Sequence, residues 1–212
     1  MAITVDFVED GLPISVIVPL SKKRRYFFDS FVLPLIEANN PAEIIINDYE
    51  GSAPKKRNDG FKEATQDFLF FCDDDILLPA GYLDTLLGTL EINPNKGYAY
   101  GGYHGIVMQP HTHPMRGNFQ IPSKPFDGKE LRRANYISTM SLIRRDVFPM
   151  FDESLKRLQD WDVYLTMLEN GVEGVYIPDK FFAYYLDEGI TSNSNDERSA
   201  IMAIIKKHNI GV

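Results

Sequence analysis

Residue types that form disulfides or bind transition metals are scarce in this chain of 212 residues, which has one cysteine and four histidines. The single cysteine, Cys72, excludes an internal disulfide and fits a reducing compartment. A chain of this length can bury enough apolar surface to fold without a covalent or metal staple. We therefore expect a single domain that spans residues 1–212.

Long apolar runs are absent as well, since every apolar stretch is far shorter than the roughly 20 residues that a membrane span needs. The opening MAITVDFVEDG carries acids where a signal peptide has basic residues. These two features predict a cytoplasmic protein with no integral membrane segment. The formal net charge of −8 argues against a nucleic-acid binder that relies on phosphate contacts. Short basic clusters such as 22–25 and 55–57 are either solvated helix ends or contacts for a phosphate-bearing ligand.

Apolar runs and helical periodicity alternate along the first half. Buried strands are predicted at 14–19, 43–46 and 67–72, and helices at 28–36, at 55–64 and behind Pro79. Pro34 predicts that the first helix kinks or begins near Leu33. Three strand–helix units in succession predict an α/β fold with a mostly parallel sheet and helices on both faces.

The second half is less regular in its pattern. Strands are predicted at 98–103, 138–143 and 174–177, and helices at 160–169 and 196–208. Between the first two strands, residues 108–130 are rich in Pro, Gly, His and Lys. A loop of this length often carries function.

Three consecutive carboxylates, Asp73, Asp74 and Asp75, directly follow the third predicted strand. Ligands of open α/β sheets bind at this carboxyl edge, and adjacent buried carboxylates are costly unless a cation neutralises them. A divalent cation such as Mg²⁺ or Mn²⁺, bridged to a diphosphate, would do so. The alternative is an exposed acidic turn that caps the next helix. The triplet alone leaves both interpretations open.

The order of the motifs resembles the family 2 glycosyltransferases, which have the nucleotide-diphospho-sugar transferase fold called GT-A. The resemblance covers residues 14–192, most of the chain. Six segments carry it: SVIVP at 15–19, IIIND at 44–48 with Gly51-Ser52, RNDG at 57–60, FFCDDD at 70–75 with Pro79, STMSLIRR at 138–145, and QDWDV at 159–163.

The resemblance implies a donor site in the first half of the chain, at about residues 1–105. Its nucleotide-sugar-binding residues would be Pro19, Asp48, Arg57, Asp73 and Asp74. Asp75 would be the principal ligand of a divalent metal, Mn²⁺ or Mg²⁺, and Asp73 would be a second. A UDP-sugar is the expected donor, because members of the family mostly use one.

The resemblance places the acceptor-binding half at about residues 106–195, followed by a C-terminal helix at 196–212. Asp160 would be the general base that deprotonates the acceptor hydroxyl, which gives single displacement with inversion. Trp161 and Asp162 would belong to the acceptor or sugar pocket. Since side chains two apart on a helix diverge, only one of Asp160 and Asp162 can easily be the base.

Three segments depart from the family pattern. The turn after the second strand reads Asn47-Asp48-Tyr49-Glu50 instead of two adjacent aspartates, and Gln159 replaces a glutamate. Residues 184–192 lack the customary arginine and histidine, so the third metal ligand is unassigned. His111 and His113 are candidates for it, because imidazole binds divalent transition metals.

The acceptor and two other classes of protein stay open at this point. We expect a saccharide or glycoconjugate acceptor, with the hydroxymethylated bases of viral DNA as the alternative. A sugar-nucleotidyltransferase shares the sheet topology, but its Gly-rich loop is missing from PLSKKRR at 19–25. A non-catalytic nucleotide- or sugar-binding module is the third possibility. The sequence gives no indication of the oligomeric state.

Overall fold

The computed structural model describes residues 3–7, 10–107, 119–121, 123–185 and 194–211. Within these residues nine strands form one sheet: β1 Ile3–Phe7, β2 Leu12–Val18, β3 Pro41–Asn47, β4 Phe68–Phe71, β5 Ile76–Leu77, β6 Tyr98–Val107, β7 Phe119–Ile121, β8 Leu142–Arg144 and β9 Gly174–Tyr185. The order across the sheet is β1-β3-β2-β4-β8-β6-β9-β5, and β7 pairs with β6.

Five of the nine described strands point in one direction, and the other four run antiparallel to them. β2 is parallel to β3 and β4, and β6 is parallel to β9. β8 lies antiparallel between β4 and β6, so β6 and β9 point the same way as β2, β3 and β4. β1, β5 and β7 also run antiparallel to their neighbours. The expected α/β fold is thus present.

Helices cover both faces of the sheet because strand side chains alternate between two cores. The described helices are α1 Arg25–Phe27, α2 Leu33–Glu37, α3 Ala53–Glu63, α4 Tyr82–Glu91, α5 Gly128–Arg133, α6 Gln159–Glu169 and α7 Ser194–Lys207. Val16, Val18 and Phe70 pack with α2 and α4 on one face. Ile17 and Phe71 face the opposite core, which α3, α5, α6 and α7 close. None of the helices within the described residues is long and apolar enough to cross a membrane.

The break expected at Pro34 takes the form of a π-helical segment, Phe28–Val32, between α1 and α2. Pro34 has no N–H to donate, and its ring disfavours a regular α-helix through this position. The chain widens for one turn, in which the Leu33 N–H donates to the Phe28 carbonyl. A regular helix then resumes at Leu33, where the sequence predicted it to begin.

Several boundaries differ from the predicted ones. α4 begins at Tyr82 instead of Pro79, because Gly81 has a left-handed φ of 72° that a helix cannot include. β8 runs from 142 to 144, whereas a strand was predicted at 138–143. α5 begins inside the segment 108–130 that was predicted as a loop, and Asp127 caps this helix by accepting from the N–H groups of Lys129 and Glu130. The edge strand β1 was not predicted, although its residues alternate between half-buried and exposed.

A substitution at Gly60 in α3 tests how closely this helix packs on the sheet. A Cβ at this position would lie 2.5 Å from Ile17 Cγ2 and 3.0 Å from Asn47 Nδ2. We expect Gly60→Ala to lower the free energy of unfolding by about 1–3 kcal/mol through overpacking. Gly88→Ala in α4 is the control, because a Cβ there would meet no other atom within 4 Å, and we expect it to be neutral or stabilising by up to about 1 kcal/mol. Urea unfolding of both variants measures the difference, and equal effects would contradict close packing at Gly60.

Candidate active site

Three of the sequence motifs meet at the carboxyl edge of the parallel strands. β2 ends before Pro19, β3 before Asp48 and β4 before the acidic triplet. The Cys72 N–H donates to the Ile17 carbonyl at 3.0 Å, which fixes the start of the triplet beside the end of β2. Pro19 and Asp48 are half-buried at this edge, and Asp48 is 3.3 Å from Arg25.

Asp74 faces inward and shapes the turn after β2. It is 4% exposed, and its carboxylate accepts from the Ser21 N–H at 2.7 Å and from Arg24 Nη1 at 2.6 Å. A carboxylate with two donors at these distances is satisfied within the protein. These contacts give Asp74 a structural role in the turn, and its expected contact with the nucleotide sugar stays a prediction.

Asp75 is the least satisfied carboxylate of the triplet. Arg24 Nη1 lies 3.0 Å from its Oδ2, and the side chain is 15% exposed. Burial raises the pKa of Asp75 to about 8 against the opposing charge of Arg24, and Asp73 and Asp74 raise it further. A carboxylate in this environment gains from a further cation.

Arg57 joins the triplet to the start of α6. Its side chain is 7% exposed; Nη2 donates to the Asp73 carboxylate, and Nη1 donates to Gln159 Oε1 at 2.9 Å. The guanidinium also lies over the ring of Phe151, 5.2 Å from its centroid. Arg57 thus connects the RNDG motif to Gln159, which lies 102 residues further along the chain. The expected contact of Arg57 with the diphosphate or ribose stays a prediction.

The other residues of the RNDG motif hold α3 in place. Asn58 Nδ2 donates to the Phe151 carbonyl at 2.9 Å, and Asn58 Oδ1 accepts from the Phe151 N–H at 2.8 Å. Asp59 accepts from Tyr49, Lys55 and Lys62, and these hydrogen bonds hold its pKa below the ordinary value. Sequence reasoning did not assign these roles, because the partners of Asn58 lie 93 residues away.

Asp160 lies in the first turn of α6, next to Gln159. The preceding residue, Leu158, has a left-handed φ of 58°, a conformation that non-glycine residues adopt at a cost. Asp160 Oδ1 accepts from the Trp161 N–H at 2.9 Å. Burial raises the pKa of Asp160 above its ordinary value, although Asn135, the Trp161 N–H and Arg57 each lower it. A carboxyl group with a raised pKa is a stronger base, as proton abstraction requires.

The side chains of Trp161 and Asp162 are buried against neighbouring elements, and the acceptor-pocket role expected for them stays a prediction. Asp162 is 1% exposed and lies 2.9 Å from both His208 Nε2 and Lys207 Nζ in the C-terminal segment. Trp161 is 5% exposed, and its Nε1 donates to the Leu131 carbonyl at 2.7 Å. Both side chains therefore attach α6 to neighbouring elements and face the core.

A small pocket of about 70 Å³ opens beside Asp160. Its described lining residues are Gly101, Gly102, Tyr103, Ser123, Asn135, Tyr136, Ile137, Ser138 and Asp160. A larger open groove of about 670 Å³ lies between α5 and the end of α6, around Arg132 and Glu169. None of the motif carboxylates lines this groove. Arg132 already donates to the His208 carbonyl and to the Glu169 carboxylate. The smaller pocket is thus the candidate active-site cavity.

The donor set of the triplet fits a hard divalent cation. Asp73 and Asp75 offer carboxylate oxygens, the ligands that Mg²⁺ and Mn²⁺ take together with substrate phosphates. Within the part of the chain that the structure describes, no three His, Cys, Asp or Glu side chains converge as a complete metal site. His111, His113 and residues 186–192 of the closing segment lie outside the described residues.

An α/β sheet with a carboxylate cluster at its carboxyl edge and a second carboxylate on a facing helix defines a nucleotide-sugar transferase type of fold, GT-A. The Glycosyl transferase family 2 model matches residues 32–150, more than half of the chain. The protein therefore belongs to glycosyl transferase family 2, as the sequence motifs predicted.

Solved structures of TarS 1–349 from S. aureus share the fold. One is similar at a TM-score of 0.61 and 17% identity, covering 92% of this chain and 64% of that chain. The structure of TarS 1–349 in complex with UDP-GlcNAc gives a TM-score of 0.65 and 16% identity, with 92% and 66% covered. The chain thus spans about two thirds of the TarS 1–349 chains. A search of curated proteins gave no significant match.

Substitutions of Asp160 and Asp162 test whether each carboxylate stabilises the fold or serves the candidate active site. We expect Asp162→Asn to lower the free energy of unfolding by roughly 3 kcal/mol, because it deprives buried His208 of a charged partner. Asp160→Asn removes a carboxylate that burial disfavours, so we expect it to keep or increase stability. Urea unfolding of the two variants measures both changes in the free energy of unfolding. A larger loss in Asp160→Asn would show that Asp160 holds the fold together.

Proposed function

We propose that the protein is a metal-dependent, inverting glycosyltransferase that moves a sugar from a nucleotide-diphosphate sugar to an acceptor hydroxyl. The observation that carries this proposal is the link through Arg57. It brings Asp73 of the acidic triplet and Gln159, the neighbour of Asp160, to the two ends of one guanidinium. A donor-side carboxylate cluster and a base candidate thus lie on either side of a single buried residue.

The donor is a UDP-sugar in this proposal. The fold is similar to that of TarS, whose structures include complexes with UDP-GlcNAc and with UDP. Pro19, Asp48 and Asp73 are partly accessible at the edge where ligands of open α/β sheets bind. Asp75 and Asp73 would hold the divalent metal. A bound metal supplies positive charge that neutralises the departing diphosphate.

Asp160 is the general base in this proposal. The acceptor oxygen attacks the anomeric carbon as the bond from that carbon to the diphosphate oxygen breaks, so the nucleoside diphosphate leaves with the bonding electron pair. The hydroxyl proton passes to the Asp160 carboxylate. Attack opposite the leaving group inverts the anomeric configuration. A saccharide or glycoconjugate is the proposed source of the hydroxyl.

Metal-dependent donor binding is tested by thermal unfolding with UDP, GDP, CMP and dTDP, each with and without Mn²⁺. We expect UDP to stabilise the protein only when Mn²⁺ is present, by about 2.7 kcal/mol at 100 times its Kd. Asp75→Asn should remove this stabilisation. Asp67→Asn is the matched control, because Asp67 is exposed at the opposite end of β4. Equal UDP stabilisation of both variants, or none in the parent protein, would contradict the donor site.

The assignment of Asp160 as the base is tested by the pH dependence of kcat/KM for UDP-sugar turnover. This dependence reports the pKa values of essential groups in the free protein. Only ionised Asp160 can accept a proton, and burial raises its pKa. Activity should therefore fall tenfold per pH unit on the acid side, with a midpoint above the ordinary value of an aspartic acid. Asp160→Asn should abolish turnover while UDP binding is kept. Near-normal turnover in Asp160→Asn would show that another group is the base.

A further inference from the structure

Arg24 contacts two carboxylates of the acidic triplet, although none of the sequence motifs assigns it a role. It belongs to the basic cluster 22–25, for which the sequence left open solvated helix ends or contacts for a phosphate-bearing ligand. Arg24 Nη1 lies 2.6 Å from Asp74 Oδ1 and 3.0 Å from Asp75 Oδ2. The guanidinium is thus paired with an oxygen of Asp75, the proposed principal metal ligand.

The two contacts of Arg24 differ in length and in access from solvent. Asp74 is 4% exposed and is held from two sides, because its other oxygen accepts from the Ser21 N–H at 2.7 Å. The contact with Asp75 is longer, and the side chains of Arg24 and Asp75 are 22% and 15% exposed. A ligand can therefore reach both partners of the Arg24–Asp75 ion pair, and this is the contact that can open.

The backbone of Arg24 is fixed beside the triplet independently of its side chain. Arg24 ends the 3-10 turn Lys22–Arg24, which follows β2, and its N–H donates to the Ser21 carbonyl at 2.9 Å. The Ser21 N–H is itself bonded to Asp74. Because backbone groups anchor the turn on the triplet, the guanidinium can leave Asp75 and still remain at the carboxyl edge of the sheet.

A divalent cation and a guanidinium compete for one carboxylate, because both are positive and repel each other at short range. The N–H donors of a guanidinium form a planar fork that matches phosphate oxygens. A diphosphate bound beside the metal therefore offers Arg24 new oxygens in exchange for that of Asp75. Metal and diphosphate together can satisfy both Asp75 and Arg24, whereas the metal alone deprives Arg24 of this partner.

We propose that Arg24 couples the binding of the metal to the binding of the donor's diphosphate. The metal displaces the guanidinium from Asp75, and the displaced guanidinium binds the diphosphate. This inference rests on the proposed function and adds a positioning residue to the same site. The metal alone then binds weakly, because it displaces an internal cation, and the nucleoside diphosphate strengthens its binding. By linkage, the metal strengthens the binding of the diphosphate by the same factor.

Titration with Mn²⁺, followed by the electron paramagnetic resonance of the free ion, measures the displacement. We expect Arg24→Gln to bind Mn²⁺ alone at least about fivefold more tightly than the parent protein, because no internal cation has to leave Asp75. Arg25→Gln is the matched control, since it removes the same charge one residue further along. Arg25 is 51% exposed and pairs with Asp29 and Asp48, so we expect a change below about twofold. Equal changes in both variants, or weaker Mn²⁺ binding by Arg24→Gln, would overturn the proposal.

The coupling itself is the ratio of the Mn²⁺ dissociation constants measured without and with UDP. We expect this ratio to be at least about threefold smaller in Arg24→Gln than in the parent protein, because the variant has no guanidinium to move from carboxylate to diphosphate. Uridine, which has no diphosphate, should leave Mn²⁺ binding unchanged. A purely structural role of Arg24 would lower thermal stability in the variant and leave the ratio as it is, which would contradict the coupling.

A second measurement uses the parent protein, with the conservative variant Arg24→Lys only for the assignment. The guanidinium ¹⁵N–¹H resonance of Arg24 is identified by its absence from the spectrum of this variant. We expect the resonance to shift when Mg²⁺ and UDP are added together, because the guanidinium changes its partner. Mg²⁺ with uridine should leave it in place. An unchanged resonance at saturating Mg²⁺ and UDP would show that Arg24 does not move to the diphosphate.

These readouts need no turnover, so the failure of this inference can be told apart from the failure of the proposed function. If UDP strengthens Mn²⁺ binding equally in the parent protein and in Arg24→Gln, the transferase proposal stands and the coupling role fails. If the coupling is lost in Arg24→Gln but the parent protein turns over no UDP-sugar, the coupling role stands and the transferase proposal fails.

Discussion

The buried guanidinium of Arg57 is the interaction on which the candidate active site depends. A charge with 7% of its side chain exposed needs partners, and Arg57 takes them from two distant parts of the chain, Asp73 and Gln159. Its Nε is buried without a partner among the described residues, so the arrangement is not fully satisfied. Breaking either contact would leave the buried guanidinium with a further unsatisfied donor, which costs more than the contact itself contributes. Arg57 therefore links the triplet to the start of α6.

The three carboxylates of the triplet differ in their contacts and in their exposure to solvent. Asp73 meets Arg57, Asp74 is enclosed by Ser21 and Arg24, and Asp75 shares Arg24 but is desolvated. Burial raises the pKa of Asp75 to about 8, and the charges of Asp73 and Asp74 raise it further, because the charge of Arg24 does not offset these effects. Asp75 is therefore mainly protonated at neutral pH, and a cation bound at this edge would favour its ionised form.

The sequence predicted the parallel strands, the main helices and the family, since apolar periodicity and motif order depend on local residues. It also located the sheet edge at which Asp48 and Asp73 lie. It did not predict the inward orientation of Asp74, Trp161 or Asp162, because each depends on partners more than 25 residues away. The composition of residues 138–143 predicts a strand over the whole segment. In the structure the Ser138 carbonyl instead bonds to side chains, among them Tyr164, so the ladder of β8 begins only at Leu142.

The contrast between Asp160 and Asp162 shows why a motif alone cannot assign a catalytic base. Both residues are acidic, both lie in the first turn of α6, and both benefit there from the helix dipole. Two positions along a helix turn the side chain by roughly 200°, so the two carboxylates face opposite surroundings. Asp162 is 1% exposed, and its two carboxylate oxygens contact His208 and Lys207. Asp160 lines a pocket, and the Trp161 N–H that donates to its Oδ1 leaves acceptor capacity for a substrate hydroxyl. Only a carboxylate that a ligand can reach can take a proton from it, which leaves Asp160 as the base candidate of this pair.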